Sequence, residues 1–470
     1  MRADTMGFGR RVIYTDEDVI TRDNVLTILG KAMFTHLMNS RETKYLYNYY
    51  KGDQPILYRT KEIRPEIDNR IVVNRANEIV SFKTGYLVGE PIQYVNRGND
   101  DVSKDINTLN TYLSIGKKAV GDKILAFWMA VCGVGYRMVL PNANDDKTKP
   151  PFDLYTLDPR FCFVVKYSGL GNKIMMGVKY IQKENGTILY SVYTDHLYFE
   201  IEDGKVTREE SHPLGRVPIV EYVGNVARLG EFEIVLPLLD AINKVTSNRV
   251  DGIEQFVQAL LVLKGVKISD KDFSNLRELG GLIIPADADA KYLIQELNQM
   301  QTQTLVDSMY QKVLTICGMP NRNGGSSTSD TGNAVIMRDG WESAEARAKD
   351  TEAMFREGEE ESLELMLTIM NATRFTNLTS ASIEIKFTRR NYENIQVKSQ
   401  VLISMLNNDK IHPRLAFESC NMFPDPELAY TESMEYKEEQ NKKSMAELKA
   451  FKNKEIQNEK DFLNSGDGDV

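Results

Sequence analysis

The sequence predicts an α+β chain in which long helices surround an antiparallel β unit, with a second, small strand-bearing segment further along. Three observations predict it. Apolar residues recur at three- and four-residue steps over 15–52, 74–87 and 230–262, the period of a helix with one buried face. Between 150 and 225 that period gives way to short β-rich runs separated by turn signals. A single apolar stripe is then sustained over 333–371, which as one helix would span roughly 55–60 Å.

Taken in order, Thr15 with Asp18 three residues later marks a helix start, and Leu26, Leu29, Met33 and Leu37 give it an apolar face. The pattern runs to Tyr49-Tyr50-Lys51, where Gly52 supplies a stop. A second helix reads over 74–87, ended by Gly89 and Pro91 ahead of a strand at 92–95. Another apolar helix precedes Gly133, followed by a strand over 135–140. The β unit is predicted as runs at 161–167, 174–181, 187–193 and 197–201, with turns at 169–172, Asn185-Gly186 and Asp203-Gly204. From Gly230 the chain turns helical, with Val235, Leu238, Ile242, Val245, Ile253, Phe256 and Leu260 on one face. Residues 264–297 are compact and mixed, with strand-like runs at 263–268 and 282–284. Thr304 and Asp307 start a further helix that Gly318 and Pro320 stop. The Gly/Ser/Asn-rich stretch 321–331 joins it to the long stripe of Met337, Trp341, Ala344, Ala348, Phe355, Leu365 and Ile369, within which Gly340 and Gly358 are candidate kink or close-packing points. A strand at 382–388 and a small helical region follow. Pro424-Asp425-Pro426 opens a Lys/Glu-rich helix, and 465–470 reads as a disordered tail.

Composition narrows the function. Of 470 residues, 42% are hydrophobic and 27% charged, a globular mix, and the net charge of −9 argues against a surface made to grip phosphates. Cys132, Cys162, Cys317 and Cys420 are far apart and form no C-x-x-C pair, so they read as buried free thiols. Residues 1–11 lack the apolar core of a signal peptide, and the most apolar run, 124–136, is too short to span a bilayer. The expectation is a protein made in the cytoplasm, without a membrane anchor.

Chemistry-bearing motifs are not found. No G-x-x-x-x-G-K-[ST] loop is present, so there is no backbone cradle with a lysine for nucleotide phosphates. Gly133-Val134-Gly135 and Gly169-Leu170-Gly171 lack the third glycine of a dinucleotide loop and read as turns. His36, His196, His212 and His412 are scattered, with no H-E-x-x-H and no G-x-S-x-G elbow. The acidic run Glu357, Glu359, Glu360, Glu361 and Glu364 reads as a solvated or tunnel-facing helix side, because consecutive glutamates point around a helix and do not converge. Arg389-Arg390 reads as a surface pair. No catalytic residue, metal or cofactor follows.

A series of strings in fixed order resembles the portal protein family of tailed bacteriophages, of the siphophage type found in Gram-positive hosts. Tyr49-Tyr50-Lys51-Gly52 is followed by Pro55-Ile56-Leu57. Asn69-Arg70-Ile71-Val72-Val73-Asn74 leads to Gly85-Tyr86-Leu87-Val88-Gly89-Glu90-Pro91-Ile92, the most specific match. Gly133-Val134-Gly135-Tyr136, Asp158-Pro159, Gly215-Arg216-Val217-Pro218-Ile219-Val220 and Gly318-Met319-Pro320 follow, with Gly332 and Ala334 before the long helix. Asp330-Thr331 stand where the family pattern has a serine. The resemblance covers about 20–375, and the last hundred residues match only in character. Two other classes stay open: another virion structural or connector protein, and an enzyme with an unrecognised carboxylate site.

The resemblance implies a homo-oligomeric ring, usually of twelve subunits, at one capsid vertex of the virion. It divides the chain into a wing (15–230), a stem helix (231–262), a clip (263–302), a second stem helix (303–317), a tunnel loop (318–332), a long wing helix and strand (333–394), and a crown with its tail (395–470). It implies double-stranded DNA passing through and bound weakly, with the terminase large subunit, a head-completion or tail adaptor, and capsid and scaffolding proteins as partners. Asn321, Arg322, Asn323, Ser326, Ser327 and Thr328 are then the DNA-facing loop residues. Lys264, Lys267, Lys271 and Arg277 are candidates for the clip's contact with motor and adaptor, and Met337, Trp341, Ala344, Ala348 and Phe355 for the subunit seam. Twelve chains of net charge −9 would carry on the order of a hundred negative charges, a field that keeps DNA from adhering to the wall.

Overall fold

The computed structural model describes residues 7–62, 64–97, 102–142, 146–257, 260–264, 289–293, 299–321, 340–374, 376–387, 395–420, 422–423 and 426–464. A short strand β1 (Tyr14–Thr15) precedes helix α1 (Val25–Lys51), capped by Gly52. The helix starts later than Thr15 and Asp18 suggest, because Tyr14 and Thr15 pair in parallel with residues 166–167 and so hold the chain extended. The face buried on α1 is Val25, Ile28, Leu29, Ala32, His36, Leu46 and Tyr49, whereas Leu26 and Leu37 of the expected stripe are exposed. Helix α2 (Arg75–Val88) has Asn74 as its cap, accepting from the Asn77 amide, and runs into β2 (Gln93–Asn96).

Helix α3 (Ser103–Ile115), missing from the sequence reading, lays Ile106, Leu109, Tyr112 and Leu113 on the core. The apolar helix α4 (Lys118–Cys132) and strand β3 (Val134–Pro141) lie where expected. β4 (Phe152–Leu157) and the later strand β10 (Ile219–Val223) flank β3 in a three-stranded antiparallel sheet. Between them come β5 (Cys162–Tyr167), β6 (Ile174–Gln182), β7 (Ile188–Tyr193), β8 (Leu197–Glu202) and β9 (Lys205–Ser211), a meander in the order β1-β5-β6-β7-β8-β9. This is the predicted β unit. Its last strand escaped the sequence reading because KVTREES is almost wholly solvated and shows no apolar alternation.

After a 3-10 turn, α5 (Leu236–Val257) leads to β11 (Leu260–Lys264), which pairs antiparallel with β12 (Asp289–Leu293). The predicted stem helix is thus shorter, and Leu260 belongs to a strand. The run expected at 282–284 lies outside the described residues. Helix α6 (Gln299–Cys317) begins ahead of Thr304, whose hydroxyl bonds back to the Met300 carbonyl as a mid-helix threonine does. Helix α7 (Trp341–Arg374) is preceded, not interrupted, by Gly340, which has φ of +80°. β13 (Ile383–Lys386) pairs with β2. Helices α8 (Ile395–Leu406), α9 (Pro413–Cys420) and α10 (Pro426–Asn464) end the described chain.

One core joins α1, α2, α4, β3, α5 and α6; a second seats α7 on α3, α4, β2, β10 and β13; a third packs the start of α1 on the meander. All four cysteines are buried and free, as the sequence reading held. The second core contains a buried charge network. Glu359 of α7 meets Lys118 at 3.0 Å and Arg137 at 2.9 Å, and it accepts from the hydroxyls of Tyr94 and Tyr222. Asp122 closes the circuit by pairing with Lys118 at 2.8 Å and with Arg137. Two cations face two carboxylates, so the cluster is neutral. Burial alone would raise the Glu359 carboxyl, but Lys118 and Arg137 outweigh it and hold the group down to about 2.

Candidate functional site

Two helices and a hairpin form a distinct unit. Helices α5 and α6 pack side by side, joined through Arg249 and Gln303, and the β11–β12 pair connects their far ends in the register Leu260↔Leu293 to Lys264↔Asp289. The buried apolar residues of α5, Leu236, Leu239 and Ile242, lie at its first turns, and those of α6, Met309, Val313 and Leu314, at its last. Toward the hairpin, Ile253, Met300 and Leu305 are exposed. The ends of the pair nearest the β11–β12 strands, around Ile253 and from Met300 to Leu305, therefore stand clear of the core.

Helix α6 stops at Gly318, which adopts φ of +59° and lies so close to Arg347 that an added Cβ would fall 2.3 Å from Cδ of that side chain. Met319 and Pro320 are buried, and the Met319 amide closes back on the Leu314 carbonyl at 2.8 Å. Beside them the Arg75 guanidinium lies 3.8 Å from the Tyr310 ring centre, and the Tyr310 hydroxyl donates to Glu78. The chain returns at Trp341, whose ring stands 6.2 Å from those of Phe82 and Tyr86, while Tyr86 donates to Glu345. The end of α6 and the start of α7 thus both rest on one helix, α2.

Of the loop residues singled out by sequence, Asn321 sits at the exit, its side-chain oxygen accepting from Gln311 at 3.3 Å. Arg322, Asn323, Ser326, Ser327 and Thr328 lie outside the described residues, as do Lys267, Lys271, Arg277 and Met337 and the pair Arg389-Arg390. Lys264 ends β11 opposite Asp289. A cleft of about 400 Å³ opens between the β5–β6 turn, β10 and α7, lined by Lys166, Lys173 and Arg216 against Glu221, Glu357 and Glu361. Its charges are largely matched: Lys166 lies 3.0 Å from Glu221, and Arg216 pairs with Glu364. Among the described residues no group of three or more His, Cys, Asp or Glu side chains could hold a metal ion, and no helix is long and apolar enough to cross a membrane.

The family described as "Phage portal protein, SPP1 Gp6-like" matches residues 35–446, from within α1 through both helices of the projecting unit to α10. The chain belongs to this portal protein family. The portal protein of Bacillus phage SPP1 is 24% identical over 287 residues, 53% of each chain, so the match spans about half the length of that curated relative. Solved structures similar to this portal-family chain include the virion of a native gene transfer agent particle (10% identity, TM-score 0.45). The necks of the empty and native particles, computed with C6 and C12 symmetry, give 9% and 11% identity and a TM-score of 0.44 each. Each covers 82% of this chain and 94% of the other, with TM-scores too low to support more than a loose likeness.

Within this portal-family fold the expected seam residues sit elsewhere. Phe355 is buried in the chain's own second core, Ala344 and Ala348 are buried on the side of α7 that faces α2, and Trp341 is half-buried against α2. From Ala344 to Phe355 the stripe is therefore interior to the chain and not a surface left for a neighbour. The acidic run is corrected likewise: Glu359 is fully buried in the ion network, while Glu357 and Glu360 are exposed. A glutamate beside Gly358 and four residues before Leu363 is the signal that could have shown it, since 355, 359, 362 and 366 share one helix face.

Proposed function

We propose that this chain is the subunit of a phage portal: a closed ring, taken as dodecameric, at one capsid vertex of the virion, through whose channel double-stranded DNA enters on packaging and leaves on ejection. The observation that carries this reading is the family match over 35–446, which includes both helices of the projecting unit and the segment between α6 and α7. In this reading 231–262 and 303–317, built on α5 and α6, are the stem, residues 263–302 the clip, and 318–332 the loop that meets DNA. The wing comprises 15–230 and 333–394, and 395–470 forms the crown and tail. The terminase motor, and later a head-completion or tail adaptor, dock on the clip through Lys264, Lys267, Lys271 and Arg277, while capsid and scaffolding proteins hold the outside. The ring itself does no chemistry; packaging energy comes from the motor.

Two features support a conduit. The ends of α5 and α6 nearest the β11–β12 pair leave the core, as a channel wall requires, and an acidic chain binds DNA weakly, so DNA slides and does not adhere. The end of α6 and the start of α7 both rest on α2, which suits a loop held at its roots. The test is to replace Arg322→Glu and, separately, to delete Gly324–Ser327. Rings form in both variants, and the DNA packaged or retained per capsid falls. Normal packaging in both would reduce the segment to a linker, and failure to form rings would assign it to the subunit interface.

A further inference from the structure

The string Asn69-Arg70-Ile71-Val72-Val73-Asn74 does something specific in the structure. It runs extended along α5 and gives every second backbone amide to that helix. The Asn69 amide donates to Asp251 Oδ1 at 2.8 Å, the Ile71 amide to Ser247 Oγ at 3.0 Å, and the Val73 amide to Asn243 Oδ1 at 2.8 Å. The acceptors are spaced by four residues on the helix and the donors by two on the strap. These spacings fit: four helical residues rise about 6 Å, and two extended residues advance about 6.6 Å. Asn243, Ser247 and Asp251 are 0–3% exposed, so the acceptor of each rung is shielded from water.

The ends of this ladder are tied in different ways. At the distal end Asp251 also accepts from Arg59, Lys61 and the Asn69 side chain at 2.8–2.9 Å, and Arg59 reaches Asn248 as well. At the proximal end Asn243 donates to Gln54, Gln54 donates to Asn74, and Asn74 caps α2 and donates to the Tyr50 carbonyl of α1. The apolar packing of α5 is concentrated in its first turns, around Leu236, Leu239 and Ile242. Apolar burial is non-directional and would let the exposed half roll or slide; a row of hydrogen bonds with one register does not.

We propose that Asn243, Ser247 and Asp251 are positioning residues that clasp residues 69–73 as a strap, and that this strap sets the rotation and axial height of the distal stem, and with it the clip. The link to channel function rests on the portal reading; the strap itself does not. The test uses the full chain carrying spin labels at Leu37→Cys on α1 and Ile253→Cys on α5, diluted with unlabelled chain so that it reads equally in a ring or a free subunit. Both sites are exposed and the native cysteines are buried. The parent gives one narrow distance. The near-isosteric pair Ser247→Ala with Asp251→Asn broadens it, Ser247→Thr alone keeps it narrow, and amide exchange at Ile71 rises by about tenfold or more. In the parent, Ile71 and Val73 exchange slowly and Arg70 and Val72 fast. An unchanged distance distribution, or equal exchange at 70–73, would overturn the strap. In phage complementation the paired variant forms rings but loses packaging; broadened distances with full packaging would overturn the strap's role in the channel. A parent chain that neither forms rings nor supports packaging would count against the portal reading alone.

Discussion

At the scale of single residues, the side chains that matter most are polar ones out of water. His36, on the buried face of α1, stacks on Phe163 at 4.4 Å, and its Nε2 lies within hydrogen-bond distance of the Tyr180 hydroxyl and the Arg160 carbonyl. Burial lowers its pKa from 6.5 to about 4, with the Arg160 carbonyl opposing. Because the folded value is depressed, the unfolded chain binds more protons between these limits. The contribution of His36 is therefore fully present above pH 6.5 and is lost as pH falls toward 4, amounting to roughly 3 kcal/mol. Denaturation midpoints measured between pH 4 and 7 should fall with acid, and His36→Phe should flatten that slope; an unchanged slope would contradict the assignment. The sequence showed His36 only as an isolated histidine, because its partners lie 124 and 144 residues away.

At the scale of elements, the helices were legible where one face alone is buried and blurred where two layers meet. The stops at Gly52 and Gly318 were readable because each depends on local backbone geometry. The start of α1 was not, since a parallel pairing with β5 overrides the local capping signal. Nor was the role of the long stripe: small residues at helical spacing look alike whether the approaching helix belongs to the same chain or to a neighbour. What locks α7 is the network around Glu359. Changing Glu359→Gln leaves Lys118 and Arg137 with only Asp122, a buried excess of positive charge, and should cost about 3–5 kcal/mol. The double change Glu359→Leu with Arg137→Met leaves the Lys118–Asp122 pair balanced and should be less damaging than the single one. Chemical denaturation of the three full-length chains decides it. A single-variant loss below about 1 kcal/mol would show that the network does not bear on the stability of the helix.

At the scale of the whole molecule, the order of parts was readable because the chain alternates helix, meander, helix pair and long helix, each with its own period. The surface that joins one copy to the next was not, because the stripe assigned to it is interior. The central claim is a closed ring with an open channel. Electron microscopy of the purified full chain, and of portal vertices released from virions, tests it most directly. Rings of uniform subunit number are expected, twelve by the family's usual pattern, with a central hole wide enough for a DNA duplex. Stable monomers in both preparations, or closed particles without an axial hole, would contradict it.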